Sequence, residues 1–173
     1  MREIQAAEIT QTVARLAQQA NSELPEDVLA ALRHAREIET SDVAVEILDQ
    51  LVRNAEEAKS NQVPVCQDCG LVVVFADIGA EAHIDGDLYE AIDDGVRQGY
   101  ESAYLRKSVI SDPLRRDTNT GDNTPAVVHV NIVPGSDVRL TLAPKGGGSE
   151  NMSRLEMLVP AAGEDGIVER ITE

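Results

Sequence analysis

Tryptophan is missing from this chain of 173 residues, and its aromatic rings come down to three tyrosines and one phenylalanine. So few rings argue against base stacking as a mode of recognition. Basic side chains are scarce as well, with 15 Lys and Arg against 31 Asp and Glu and a formal charge of -16. Nucleic acids and anionic membranes are bound through a basic face, so neither is an expected partner, and any anion must be held locally. No stretch approaches the roughly 20 apolar residues of a membrane span. The opening MREIQAAEIT carries acid and no hydrophobic signal core, and a cytoplasmic location is expected. Two cysteines make no disulfide framework, and a reducing compartment leaves them free for metal or redox chemistry. What remains is ample for one domain, since 42% of the residues are hydrophobic.

The apolar periodicity predicts three helices before residue 60. Ile9, Val13, Leu16, Ala17 and Ala20 recur at helical spacing within 4–20. Pro25 and the acids Glu26 and Asp27 suit the first turn of a second helix, with Val28, Leu32, Ala35 and Ile38 on its inner face. Thr40, Ser41 and Asp42 are cap candidates for a third, whose stripe runs through Ala44, Ile47, Leu48, Leu51, Val52 and Ala55. All three stripes are read as packing surfaces.

The run 71–78, LVVVFADI, is continuous and β-branched, as expected of a strand covered on both faces. Asp85, Gly86 and Asp87 can start a helix reaching about Ala103, with Tyr89, Ile92, Val96 and Tyr100 on one side. Gly95 and Gly99 lie four apart on a neighbouring face. They would let another element approach closely, at a propensity cost of roughly 1 kcal/mol each against alanine. Residues 126–133 and 138–143 flank Pro134-Gly-Ser-Asp137 and alternate well enough for an antiparallel hairpin. Ile167, Val168 and Ile171 begin a further amphipathic helix close to Glu173, and a fragment of a longer protein with an exposed apolar face is expected. The fold class is α+β: a helical region over 1–60, then a mixed α/β region with the hairpin over 61–173, forming one structural unit.

Chemistry concentrates in Val63-Pro-Val-Cys-Gln-Asp-Cys-Gly70. Cys66 and Cys69 offer soft ligands or nucleophiles, Gln67 an orienting amide and Asp68 a proton carrier, while Gly70 permits a sharp turn into the strand. A zinc site would need four ligands, and His34, His83 and His129 show no suitable pairing. A thioredoxin-like pair would open a helix, whereas here a strand pattern follows. One corner of an iron-sulfur site and a pair of small buried side chains both stay open. A second stretch, Lys145-Gly-Gly-Gly-Ser-Glu-Asn151, is no P-loop, because its lysine precedes the glycines. Its glycines can still converge backbone N–H groups on an anion, with Lys145 adding charge, or else form a flexible strand exit. Arg106, Lys107, Arg115 and Arg116 could clamp carboxylates or simply be a solvated basic face. His129 is read as a surface or hydrogen-bonded histidine.

Taken together, PVCQDCG, the helix ending YLRKS, NTGDNTPA, the PGSD connection and APKGGGSENMSRL resemble the class I iron-sulfur fumarate hydratases, and the α subunits of L-tartrate dehydratase in the same family. The likeness runs in order from about Leu24 to the last residue. It implies an oxygen-sensitive hydro-lyase that reversibly hydrates fumarate to malate with a 4Fe-4S cluster held by three cysteines. Cys66 matches the first cluster cysteine; Gln67 and Asp68 would face the substrate, with Asp68 a candidate for proton transfer. Arg106 would bind a substrate carboxylate, and Lys145, Gly146, Gly147 and Gly148 match the family's glycine loop. Where the family usually has threonine this chain has Cys69, which is not taken as a ligand. The other cluster cysteines lie downstream in the family, and further catalytic groups lie in a β portion. A β subunit is therefore the expected partner, in a homo-oligomer or a dimer of αβ units, and these residues alone should neither complete the cluster nor turn over substrate.

Overall fold

A computed structural model of the protein describes residues 2–148, 151 and 153–172. The organising element is β2 (Leu71–Gly79), the middle strand of a three-stranded sheet. β4 (Val127–Val133) pairs with it in parallel and β5 (Val138–Lys145) pairs with it antiparallel. The expected hairpin is thus corrected: β4 and β5 hydrogen-bond to β2, not to each other. Strands on either side of a third lie about 10 Å apart, a gap that four linking residues can bridge. The Pro134–Asp137 link wraps around the end of β2, where Gly79 N donates to Asp137 O at 2.8 Å and Glu81 N to Gly135 O at 2.9 Å. A Cβ on Gly79 would stand 2.4 Å from Gly135 O, so this crossing needs glycine.

Only one face of β2 is sealed. Val72, Val74 and Ala76 are fully buried, while Phe75 on the other face is 44% exposed and stacks on His129 of β4 at 5.1 Å. The expectation of a strand covered on both faces is corrected accordingly, and His129 lies at the surface.

Beneath the buried face lie α1 (Ala6–Ser22) and α4 (Leu88–Ser102). The first residues do not join the helix: β1 (Arg2–Gln5) is a short strand parallel to β3 (Ala82–Asp85), burying Ile4 beside Ile84. Ile9, Val13 and Ala17 of α1 meet Ala91, Ile92, Val96 and Tyr100 of α4 in one core. The two glycines make that contact possible. A Cβ on Gly95 would fall 2.6 Å from Val13 Cβ, and one on Gly99 would fall 2.8 Å from Ala14 O. Asp87 caps α4, its Oδ1 accepting from Tyr89 N at 2.9 Å and Glu90 N at 3.1 Å.

α2 (Glu26–Ile38) and α3 (Asp42–Asn61) pack on each other and stand off from this core. Ion pairs Arg33–Glu56 at 2.8 Å and Arg36–Asp49 at 2.8 Å tie the pair together. Their stripes are covered only in part: Leu32, Ala35, Ala44, Leu48 and Val52 are half-buried and Ala55 is buried, while Val28, Ile38, Ile47 and Leu51 are exposed. Ser41 makes no side-chain cap bond; Glu39 Oε1 instead accepts from Thr40 N and Ser41 N. α1 and β1 belong to the core built by later residues. α5 (Gly163–Thr172) buries no residue, and Ile167, Val168 and Ile171 face outward. No helix among the described residues is long and apolar enough to cross a membrane.

Candidate active-site cleft

The β2–β5 register decides what the cysteine turn meets. Leu71 pairs with Lys145, so the residues just before β2 lie against those just after β5. Gly70 allows it: its φ is 63°, and a Cβ there would stand 2.4 Å from the Lys145 carbonyl carbon and oxygen. A third segment arrives from the end of α4, where Arg106 N donates to Cys69 Sγ at 3.3 Å. These three segments enclose a cleft of 350 Å³ lined by Asp68, Arg106, Lys145, Gly146 and Gly147, with Ser108 to Ile110 as its far wall.

Asp68 sits at the centre of this arrangement. Its Oδ1 accepts from Gly70 N at 3.1 Å, its Oδ2 accepts from Gly147 N at 2.9 Å, and Arg106 Nη1 approaches Oδ1 at 3.9 Å. The arginine is 62% exposed in its side chain, so the ion pair itself adds at most about 1 kcal/mol. Lys145 Nζ donates to Gly146 O at 2.9 Å. Of the other cations in the basic cluster, Lys107 pairs with Glu101 and Arg115 with Asp117, so Arg106 alone of the four lines the cleft.

Cys66, Gln67 and Gly148 are exposed and do not line the cleft. Cys66 Sγ is next to it in sequence and space, accepting weakly from Asp68 N at 3.5 Å while its S–H points to Gln67 Oε1 at 3.3 Å. Cys69 is 2% exposed, and burial pushes its thiol above the ordinary range. One thiol is therefore presented and the other withheld. Among the described residues no group of three or more His, Cys, Asp or Glu is arranged to hold a metal ion, and of the two cysteines only Cys66 presents its sulfur at the surface. Ser149, Glu150 and Met152 of the glycine-rich motif lie outside the described residues.

Two residues that the motifs did not single out hold the cleft together. Tyr100 donates its hydroxyl to Cys69 O at 2.6 Å from the buried face of α4. Burial pushes its phenol up to about 12. Asn123 is fully buried at φ 67°; its Nδ2 donates to Gly70 O at 3.1 Å and its Oδ1 accepts from Ser108 N at 2.6 Å and Val109 N at 3.2 Å. It bridges the cysteine turn to the far wall. The sequence signal was its place in NTGDNTP, a turn-rich segment whose asparagine can adopt a positive φ. In that wall Ser108 Oγ is a buried polar atom with no hydrogen-bond partner among the described residues.

Residues 10–173 match the family model described as Fumarate hydratase (Fumerase). The chain belongs to this family. A Methanocaldococcus jannaschii protein named "Putative L(+)-tartrate dehydratase subunit alpha" is 36% identical over 171 residues, covering 95% of this chain and 60% of its own length. Proteins named L(+)-tartrate dehydratase subunit alpha from Escherichia coli strain UTI89 and Shigella boydii serotype 4 are each 26% identical over 167 residues, covering 95% of this chain and 55% of their own. The chain thus spans little more than half the length of these fumarate hydratase family relatives.

Proposed function

We propose that these residues form part of the α subunit of a hydro-lyase that adds water reversibly across the double bond of fumarate to give malate. The observation that carries the reading is the convergence of Asp68, Arg106 and the Lys145–Gly147 backbone on one cleft beside the exposed Cys66 thiol. Hydration of a dicarboxylate needs cations and N–H donors to hold the carboxylates still, and a group to deliver or take the proton at carbon. Arg106 would clamp one carboxylate through parallel N–H bonds, and the Lys145–Gly147 segment would turn backbone N–H groups toward the other. Asp68 would carry the proton.

Cys66 would be one ligand of a 4Fe-4S cluster, whose open iron position supplies Lewis-acid activation of oxygen when the cluster is bound. The other ligands would come from the remainder of the α subunit, and a β subunit would complete the pocket, in a dimer of αβ units. The chemistry assigned to this chain's own residues is binding, orientation and proton transfer.

A second reading is dehydration of L-tartrate, favoured by the names of the relatives. Fumarate, malate and tartrate are all four-carbon dicarboxylates, and tartrate carries a second hydroxyl that malate lacks, so telling the two reactions apart depends on contacts to that group. The test is turnover by the complete α and β assembly after anaerobic reconstitution with iron and sulfide. Fumarate hydration is the expected result. Turnover of tartrate alone supports the second reading, and turnover of neither, with the cluster loaded, overturns both.

A further inference from the structure

We propose that the Asp68 carboxylate is a catch that holds the glycine loop down on the cleft, released when a carboxylate of the substrate takes the Gly147 N–H in its place. One half of the contact is local. Oδ1 accepts from Gly70 N two residues on, as aspartates at turns commonly do, which fixes the carboxylate's orientation. The other half spans 79 positions: Oδ2 accepts from Gly147 N at 2.9 Å. The three nearest atoms to a Cβ built on Gly146 all belong to Asp68, the nearest atom to one on Gly147 is Asp68 Oδ2 at 3.9 Å, and one on Gly148 meets nothing within 4 Å.

Asp68 therefore occupies the position a ligand carboxylate would seek, with a backbone N–H on one side and Arg106 on the other. Two carboxylates cannot share one N–H at close range without repulsion, so arrival of a dianion frees Asp68 Oδ2. Asp68 is thus a positioning residue in the closed cleft, and the exchange of partners ties release of its oxygen to occupancy. The displacement half rests on the proposed dicarboxylate site; the catch rests on the geometry alone.

The test is amide hydrogen exchange, read by mass spectrometry over peptides covering Gly147 and, as an internal reference, β2, in the complete α and β assembly. Asp68→Ala should speed exchange at Gly147 by about tenfold or more, as expected for losing a hydrogen bond to a charged acceptor, with β2 unchanged. Asp68→Asn, which keeps an oxygen for Gly70 N, should give faster exchange at Gly147 with the turn intact. Succinate, which has no double bond to hydrate, should restore protection at Gly147 in Asp68→Ala. Exchange at Gly147 equal in wild type and both variants overturns the catch, as does a matching rise over β2 in both. Faster exchange in the variants that succinate does not reverse keeps the catch and overturns the dicarboxylate reading.

Discussion

The α1–α4 pair and the α2–α3 pair each join two amphipathic helices, and they differ in what faces the apolar stripe. Between α1 and α4 the stripe meets glycines: Gly95 and Gly99 remove the side chains that would hold the backbones apart, and Val13, Ile92 and Val96 are fully buried. Between α2 and α3 the stripe is only partly covered: Leu32, Leu48 and Val52 are half-buried, Arg33–Glu56 and Arg36–Asp49 bridge the helices, and Ile47 and Leu51 are left 52% and 45% exposed. The first pair supports the cleft through Tyr100 on α4, which reaches the Cys69 carbonyl, whereas the second touches only the approach to the cysteine turn, where Asn54 Nδ2 on α3 donates to Val65 O at 2.9 Å. An apolar stripe announces that a surface is to be covered; whether it is covered within these residues depends on the shape of what faces it.

That difference can be broken at Gly95. Gly95→Val places atoms where Val13 Cβ and Thr10 O already lie within 2.7 Å, and neither can swing aside. A loss of about 3 kcal/mol is expected from such overpacking, measured by chemical denaturation. A variant as stable as the wild type would mean that α1 and α4 are not in close contact.

Tyr100 sharpens the comparison from the side of the site. Its phenol has a raised pKa in the fold because burial opposes the anion, so its neutral form is the one folding favours. The associated stability is complete below the ordinary tyrosine value of about 10 and is lost as pH rises through the folded value of about 12. Tyr100→Phe should cost about 1.5 kcal/mol at neutral pH through the unpaired Cys69 carbonyl. It should also remove that part of the alkaline loss, which the difference between the two denaturation profiles from pH 9 to about 12 would show.

The smallest effect belongs to α3. Ile47→Ser removes an exposed apolar side chain and should change stability by less than about 0.5 kcal/mol. The same change at buried Ile92 should cost several-fold more, about 3 kcal/mol. Equal costs at the two positions would show that the α3 stripe is covered after all.

Much of this was legible in the residues. Period-3.6 spacing marked the helices, and the glycine pair on α4 signalled a close neighbour because nothing else justifies two glycines inside a helix. The β-branched run marked β2. Its partners were not legible, since a four-residue link suits both a hairpin and a wrap around a central strand. In the site, the CQDCG turn and the glycine loop stood out by composition and by likeness to the fumarate hydratases. Tyr100 and Asn123 did not, because each acts through bonds to backbone atoms 14 to 53 positions away, and such bonds leave no periodic trace.

The central claim is that Arg106 and Asp68 act on one small dicarboxylate in one cleft, and kcat/KM for fumarate hydration by the complete, cluster-loaded α and β assembly tests it most directly. Arg106→Gln and Asp68→Asn should each lower it by at least about a hundredfold, with the iron and sulfide content of the wild type. Variants within about twofold of the wild type would contradict the claim.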